Sequence, residues 1–261
     1  MGDQSALAEL VARPFLACLL LFVAVLAAME IGRAIGRQGR FTETPGAGAV
    51  NGAVFALLGL IMAFSFNGAA QRFDQRRDLI VQESNDIGTA LLRVDIAPAD
   101  AQPALRAAFK RYVDARIAAY RVVGNDAAFR AGLKKSSAIS QEIWDLAIAA
   151  GRRPDAQPAT NTQLLPAINE MIDITSTRAF MMLMHPPPII RYMLIGLALV
   201  AAMLAGIGFA AGPRRVWIHP LSFALIMTAT IYITIDLEYP RAGFITVDSF
   251  ENAVIDFNRN P

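Results

Sequence analysis

Cysteine and histidine are nearly absent: one cysteine, Cys18, and two histidines, His185 and His219, in 261 residues. One thiol cannot close an intramolecular disulfide, and the three residues together cannot build a cysteine–histidine zinc centre. Charge is also scarce, at 18% of residues, where a soluble domain carries about 25%. The 24 Lys plus Arg and 22 Asp plus Glu leave a net charge of +2, far from the concentrated basicity that a phosphate backbone requires. Nucleic acid is therefore not an expected partner. In place of charge there is apolar surface: 55% hydrophobic residues and a mean hydropathy of +0.41, the balance of a membrane protein.

The missing charges are missing in four windows, each near the roughly 20 residues that a helix needs to cross about 30 Å of hydrocarbon. The first covers residues 14–35 if Glu30 and Arg33 lie at the interface, and the second covers 46–71 without a single charge. The third and fourth are uncharged over 192–213 and 216–235, for spans at about 189–213 and 216–236, joined by the short turn Gly212-Pro213-Arg214-Arg215. The first window is not read as a signal peptide, because Asp3 and Glu9 replace a basic amino-terminal cluster and no small-residue cleavage site precedes Glu30. Two transmembrane hairpins are predicted, at 1–71 and 189–237, followed by a tail at 238–261.

Residues 72–188 hold most of the charge and read as an extramembrane domain inserted between spans two and three. Their apolar positions recur at three and four residues, the helical period. Phe73, Ile80, Ile87, Leu91 and Val94 form one stripe; Leu105, Phe109, Tyr112 and Tyr120 form another. Two more helices follow from Phe129, Ile139 and Ile143 and from Leu165, Ile168 and Ile172, with breaks at Pro98–Pro103, Gly124-Asn125 and Gly151–Pro158. No proline occurs between Pro45 and Pro98, so the second span is expected to run unbroken into the domain. His185-Pro186-Pro187-Pro188 stops the helix before the third span. The fold class expected is all-α.

Short-segment arginines favour the cytoplasm for the hairpin loops: Arg33, Arg37, Arg40, Arg214 and Arg215 against Arg13, Arg241 and Arg259. Counting Arg72, Arg76, Arg77, Arg178 and Arg191 reverses the tally, and the side of the helical domain stays open.

Reactive groups do not converge. His185 and His219 each precede proline at a span boundary, Cys18 lies among Leu and Phe, and Asp74, Asp78, Glu83 and Asp86 interleave with arginines as a solvated or salt-bridged face. Gly-Lys-Ser/Thr does not occur, so no phosphate loop is present. No enzymatic activity, metal or cofactor is expected.

The second span is more telling. Gly52, Ala56, Gly59, Ala63 and Ala70 supply small positions where helices approach closely in lipid. Two apolar lines run beside them: Ala53, Leu57, Leu60 and Phe64, and Phe55, Leu58, Met62 and Phe66. Around a symmetry axis, either line would form a hydrophobic constriction; in a single bundle, both are packing or lipid-facing residues. Asn51, Ser65 and Asn67 near the span's ends are candidates for the pore mouth. Arg72 and Arg76, one turn apart beyond the span, would form stacked cationic rings there and favour anions, or else snorkel to headgroups.

Leu57-Leu58-Gly59, Phe66-Asn67 and Arg72-Phe73, with Arg77 beyond, resemble the second span and following helix of the bestrophin channels. The segment Glu238-Tyr239-Pro240-Arg241-Ala242-Gly243-Phe244 is similar to that family's Glu-x-Pro-Phe-Gly segment, giving Glu238, Pro240 and Gly243 as a tail motif. Closer still is the bacterial bestrophin-like group, through Phe64-Ser65-Phe66-Asn67-Gly68-Ala69-Ala70, Arg72-Phe73-Asp74, Arg76-Arg77 and Asn85-Asp86-Ile87-Gly88. The resemblance implies a multi-pass protein of the bacterial inner membrane, self-associated as a pentamer, whose second span lines a pore for inorganic ions. A slight anion preference is expected. The rival expectation is a non-conducting scaffold or sensor whose helical domain binds a partner.

Overall fold

The computed structural model describes residues 14–39, 46–122, 126–184, 186–211 and 216–238. Helix is the only regular structure among them: α1 (Pro14–Gly36), α2 (Ala47–Leu92), α3 (Gln102–Arg121), α4 (Asp126–Gly151), α5 (Leu165–Leu183), α6 (Pro188–Gly208) and α7 (Ile218–Glu238). The described residues fall into two compact units. One takes α1, α2 as far as Phe73, α6 and α7; the other takes Asp74–Met184.

Among the described residues, four helices are long and apolar enough to cross a membrane: α1, α2, α6 and α7. Helix α2 is 46 residues long and has no break, as the absence of proline between 45 and 98 predicts. A 3-10 turn at Arg93–Ile96 ends it before Pro98. Pro188 opens α6 instead of preceding it, since the first turn of a helix has no amide bond for proline to lose.

In the span unit, α1 lies on α6 through glycines. A Cβ on Gly32 would strike the Met203 carbonyl, one on Gly206 would strike that of Met29, and one on Gly36 would meet Ala210 and Ile207. Three positions on two helices thus have room only for hydrogen, the device by which helices in lipid gain close dispersion contact. Val25, Met29, Ala202 and Ala224 close one core cluster; Leu58, Met62, Leu194, Ala198, Ala201 and Ile231 close another.

The second unit buries Val94, Leu105, Phe109, Tyr112, Ile143, Leu164, Ile168 and Met171 as one core. Val94, Leu105, Phe109, Tyr112, Ile143 and Ile168 belong to the predicted stripes; Leu164 and Met171 do not, and the predicted Leu165 and Ile172 are only partly buried. Pro103 and Pro166 sit in the first turns of α3 and α5, where they fix φ at no cost in hydrogen bonding.

Candidate functional site

Neighbouring residues of like chemistry on α2 have opposite fates. Leu58 is 1% exposed and Met62 9%, packed on α6 and α7, whereas Leu57 and Leu60 are about half exposed and Phe64 is 68% exposed. Phe55 is half-buried, edge-on to Phe223 of α7 with ring centroids 6.3 Å apart. Only Phe66 of that second line is open, at 42%. At 100° per residue, Ala53, Leu57, Leu60, Phe64, Asn67 and Gln71 share one face, and all six are exposed. Asn51 and Ser65 are half-buried.

The whole span is thinly covered. In α2's apolar window 11% of residues are buried, against 22–28% in the other three helices. Gly52 and Gly59 have nothing within 4 Å of the place a Cβ would take. Gly32, Gly36 and Gly206 are consumed by contacts inside the chain, whereas Gly52 and Gly59, like Gly196 and Gly208 of α6, are not.

The two arginines beyond the span differ from open cationic rings. Arg72 is forked onto Glu238 at the end of α7, with Nε 2.9 Å and 3.1 Å from the carboxylate oxygens and Nη2 also donating. Within the second unit, Arg76 is 3% exposed and donates from Nη2 to the Met184 carbonyl at 3.1 Å and from Nε to that of Met181 at 3.4 Å. Its charge meets the carbonyl end of α5, where the helix dipole favours a cation. The reason is register: Arg72 and Arg76 lie about 100° and 140° around the helix from the exposed face. In the second unit, the exposed positions of α2 are Asp74, Gln75, Asp78, Val81, Gln82, Asn85 and Leu92, so no arginine is among them.

Glu83 was not separable from its acidic neighbours by sequence. It is 2% exposed and holds two guanidiniums, Arg116 Nε at 2.6 Å and Arg178 Nη1 at 2.6 Å, joining α2, α3 and α5. The Arg178 guanidinium lies 3.7 Å from the Tyr120 ring centroid, and Tyr112 shares a 2.8 Å hydrogen bond with Thr175. Burial would raise the Glu83 carboxyl, but Arg116 and Arg178 outweigh it and hold it below its ordinary value. Burial pushes Tyr112 up to about 12 and raises Tyr120. The sign that could have found this cluster is the helical register of Glu83 with buried Ile80 and Ala90 and half-buried Ile87.

Threonines of α7 return to their own backbone, Thr230 to the Ile226 carbonyl and Thr234 to that of Thr230, both at 2.8 Å. His219 stacks on Phe209 with centroids 6.1 Å apart. Of the tail motif, Glu238 is described; Pro240, Gly243 and His185 lie outside the described residues.

Four crossing helices in the expected order, with α2 carried past the span and tied to Glu238, are accompanied by a match of the bestrophin-like domain over residues 17–249. The chain belongs to the bestrophin-like family. Neither a curated relative nor a solved structure matches it. As a bestrophin-like protein with four apolar helices, it is a multi-pass membrane protein of channel-like type.

Proposed function

We propose that this bestrophin-like chain is one subunit of an oligomeric ion channel of the bacterial inner membrane. The pore is lined by the exposed face of α2, with Leu57, Leu60 and Phe64 as the constriction and Asn67 beside it. One observation carries this reading: the span least covered by its own chain presents an unbroken apolar line that ends in Asn67 and Gln71. Polar side chains on a lipid-facing helix surface are costly, and a water-filled axis or a neighbouring copy removes that cost. Apolar rings of this kind close a pore by dewetting and open it with small changes in radius.

Five copies are the assembly that the family resemblance implies. With Arg76 buried and Arg72 bound to Glu238, the slight anion preference expected from free arginine rings loses its main support, and the proposed pore discriminates weakly by charge. Ion flux from liposomes holding the purified protein tests the reading: salt-dependent release is expected, and liposomes that stay tight across several salts contradict it.

A further inference from the structure

Arg33 lies in the last turn of α1, about 4.5 Å short of its end at 1.5 Å per residue. It is 7% exposed, its Nε is buried without a partner, and among the described residues no carboxylate, carbonyl or hydroxyl accepts from its guanidinium.

An arginine cannot shed its charge. An unpaired guanidinium taken out of water is costly, and the carbonyl end of α1 offsets only a small part of that cost. The backbone of this turn is pinned. Gly32, Arg33 and Gly36 are the buried positions of this turn. A Cβ on Gly206 would stand 3.0 Å from the Arg33 amide nitrogen, and Gly36 meets Ala210 and Ile207. The 7% exposure that remains leaves the guanidinium open to an acceptor from outside the chain.

The end of the bundle at which it opens is a membrane interface. Phe209 stacks on His219 at this end, and Trp217, 46% exposed, sits just before α7 as interfacial aromatics do. Arg37 follows Arg33 by one helical turn and is exposed. A planar fork with a second cation one turn away matches two oxygens of a phosphate diester. We infer that Arg33, assisted by Arg37, binds the phosphate of a phospholipid headgroup where α1 meets α6. This site is independent of ion conduction.

The full-length protein purified in detergent is examined by native mass spectrometry and then titrated with phosphatidylglycerol, with diacylglycerol and with inorganic phosphate. About one phospholipid retained per chain is expected, with phosphatidylglycerol binding and diacylglycerol, which lacks the phosphate, not binding. R33Q weakens phosphatidylglycerol binding by about tenfold or more, the scale of one charge-assisted hydrogen bond; R33K and R37Q weaken it less. Wild-type protein that retains no phospholipid, or that binds diacylglycerol equally, overturns the inference without use of any variant. So does R33Q binding equal to wild type. Inorganic phosphate that competes at similar concentration overturns the lipid assignment and leaves a free-anion site.

Discussion

Arg72 on α2 and Glu238 at the end of α7 are 166 residues apart in sequence and joined by a forked ion pair. Glu238 is 9% exposed in its side chain and Arg72 32%, so the carboxylate depends on the guanidinium more than the reverse. R72Q removes the forked donor from the buried carboxylate and is expected to destabilise the span unit by about 1–3 kcal/mol. E238Q, which leaves an arginine that still reaches water, costs less. Thermal unfolding in detergent orders the two; an equal or reversed order contradicts the asymmetry.

Glu83 is the hub of the second unit, and E83Q leaves Arg116 and Arg178 buried with their shared counter-charge gone. A loss of about 3–5 kcal/mol is expected, as when one partner of a buried pair is removed. The pH dependence follows from the lowered carboxyl. Its stabilisation is present above the unfolded value, so it is constant through neutral pH and lost only as pH falls below the ordinary carboxylate range. Tyr112, raised to about 12 from 10.0, acts at the other end: its contribution is complete below pH 10 and is lost as pH rises toward 12. Chemical denaturation from pH 3 to 11 checks both limbs, and a stability change centred near pH 7 contradicts the assignment.

Leu58 and Leu60 separate packing from lining. L58A opens a cavity against α6 and α7 and is expected to cost about 2–4 kcal/mol. L60A removes an exposed side chain and leaves the unfolding midpoint within about 0.5 kcal/mol of wild type. If the exposed line surrounds the pore, L60A and F64A raise ion flux while L58A lowers only the yield of folded protein. Equal stability losses at 58 and 60 contradict the face assignment.

Glycines distinguish contacts within a chain from contacts between chains. G206L cannot fit against the Met29 carbonyl and is expected to abolish folding of the span unit. G59L meets nothing within its own chain, so the subunit folds, but size-exclusion chromatography shows a smaller assembly if neighbouring copies use that surface. An unchanged assembly with G59L and G52L places the stripe against lipid.

Element positions were legible because proline, glycine and the helical period are local signals: the turns at Arg93–Ile96 and after Gly151 fall where Pro98 and Pro154 demand them. The crossing helices were legible from charge depletion alone. Facing was not. Leu57 and Leu58 are identical in chemistry and adjacent in sequence, and only the positions of α6 and α7 decide that one is buried and the other open. Glu83 likewise looked like Asp74 and Asp78, because an acidic residue declares its burial only through partners 33 and 95 residues away. Arg72 and Arg76 gave the opposite difficulty: their place beyond a span suggested a mouth, while their angle around α2 turned them toward Glu238 and toward the α5 carbonyls, respectively.

The most direct measurement of the central claim uses the protein's single cysteine. With C18A as background, L60C and L58C are reconstituted into liposomes and ion flux is recorded before and after a membrane-impermeant thiol reagent. The account predicts flux that the reagent blocks at Leu60→Cys and leaves unchanged at Leu58→Cys. Flux unaffected at both positions, or the absence of flux from the parent protein, contradicts a pore lined by the exposed face of α2.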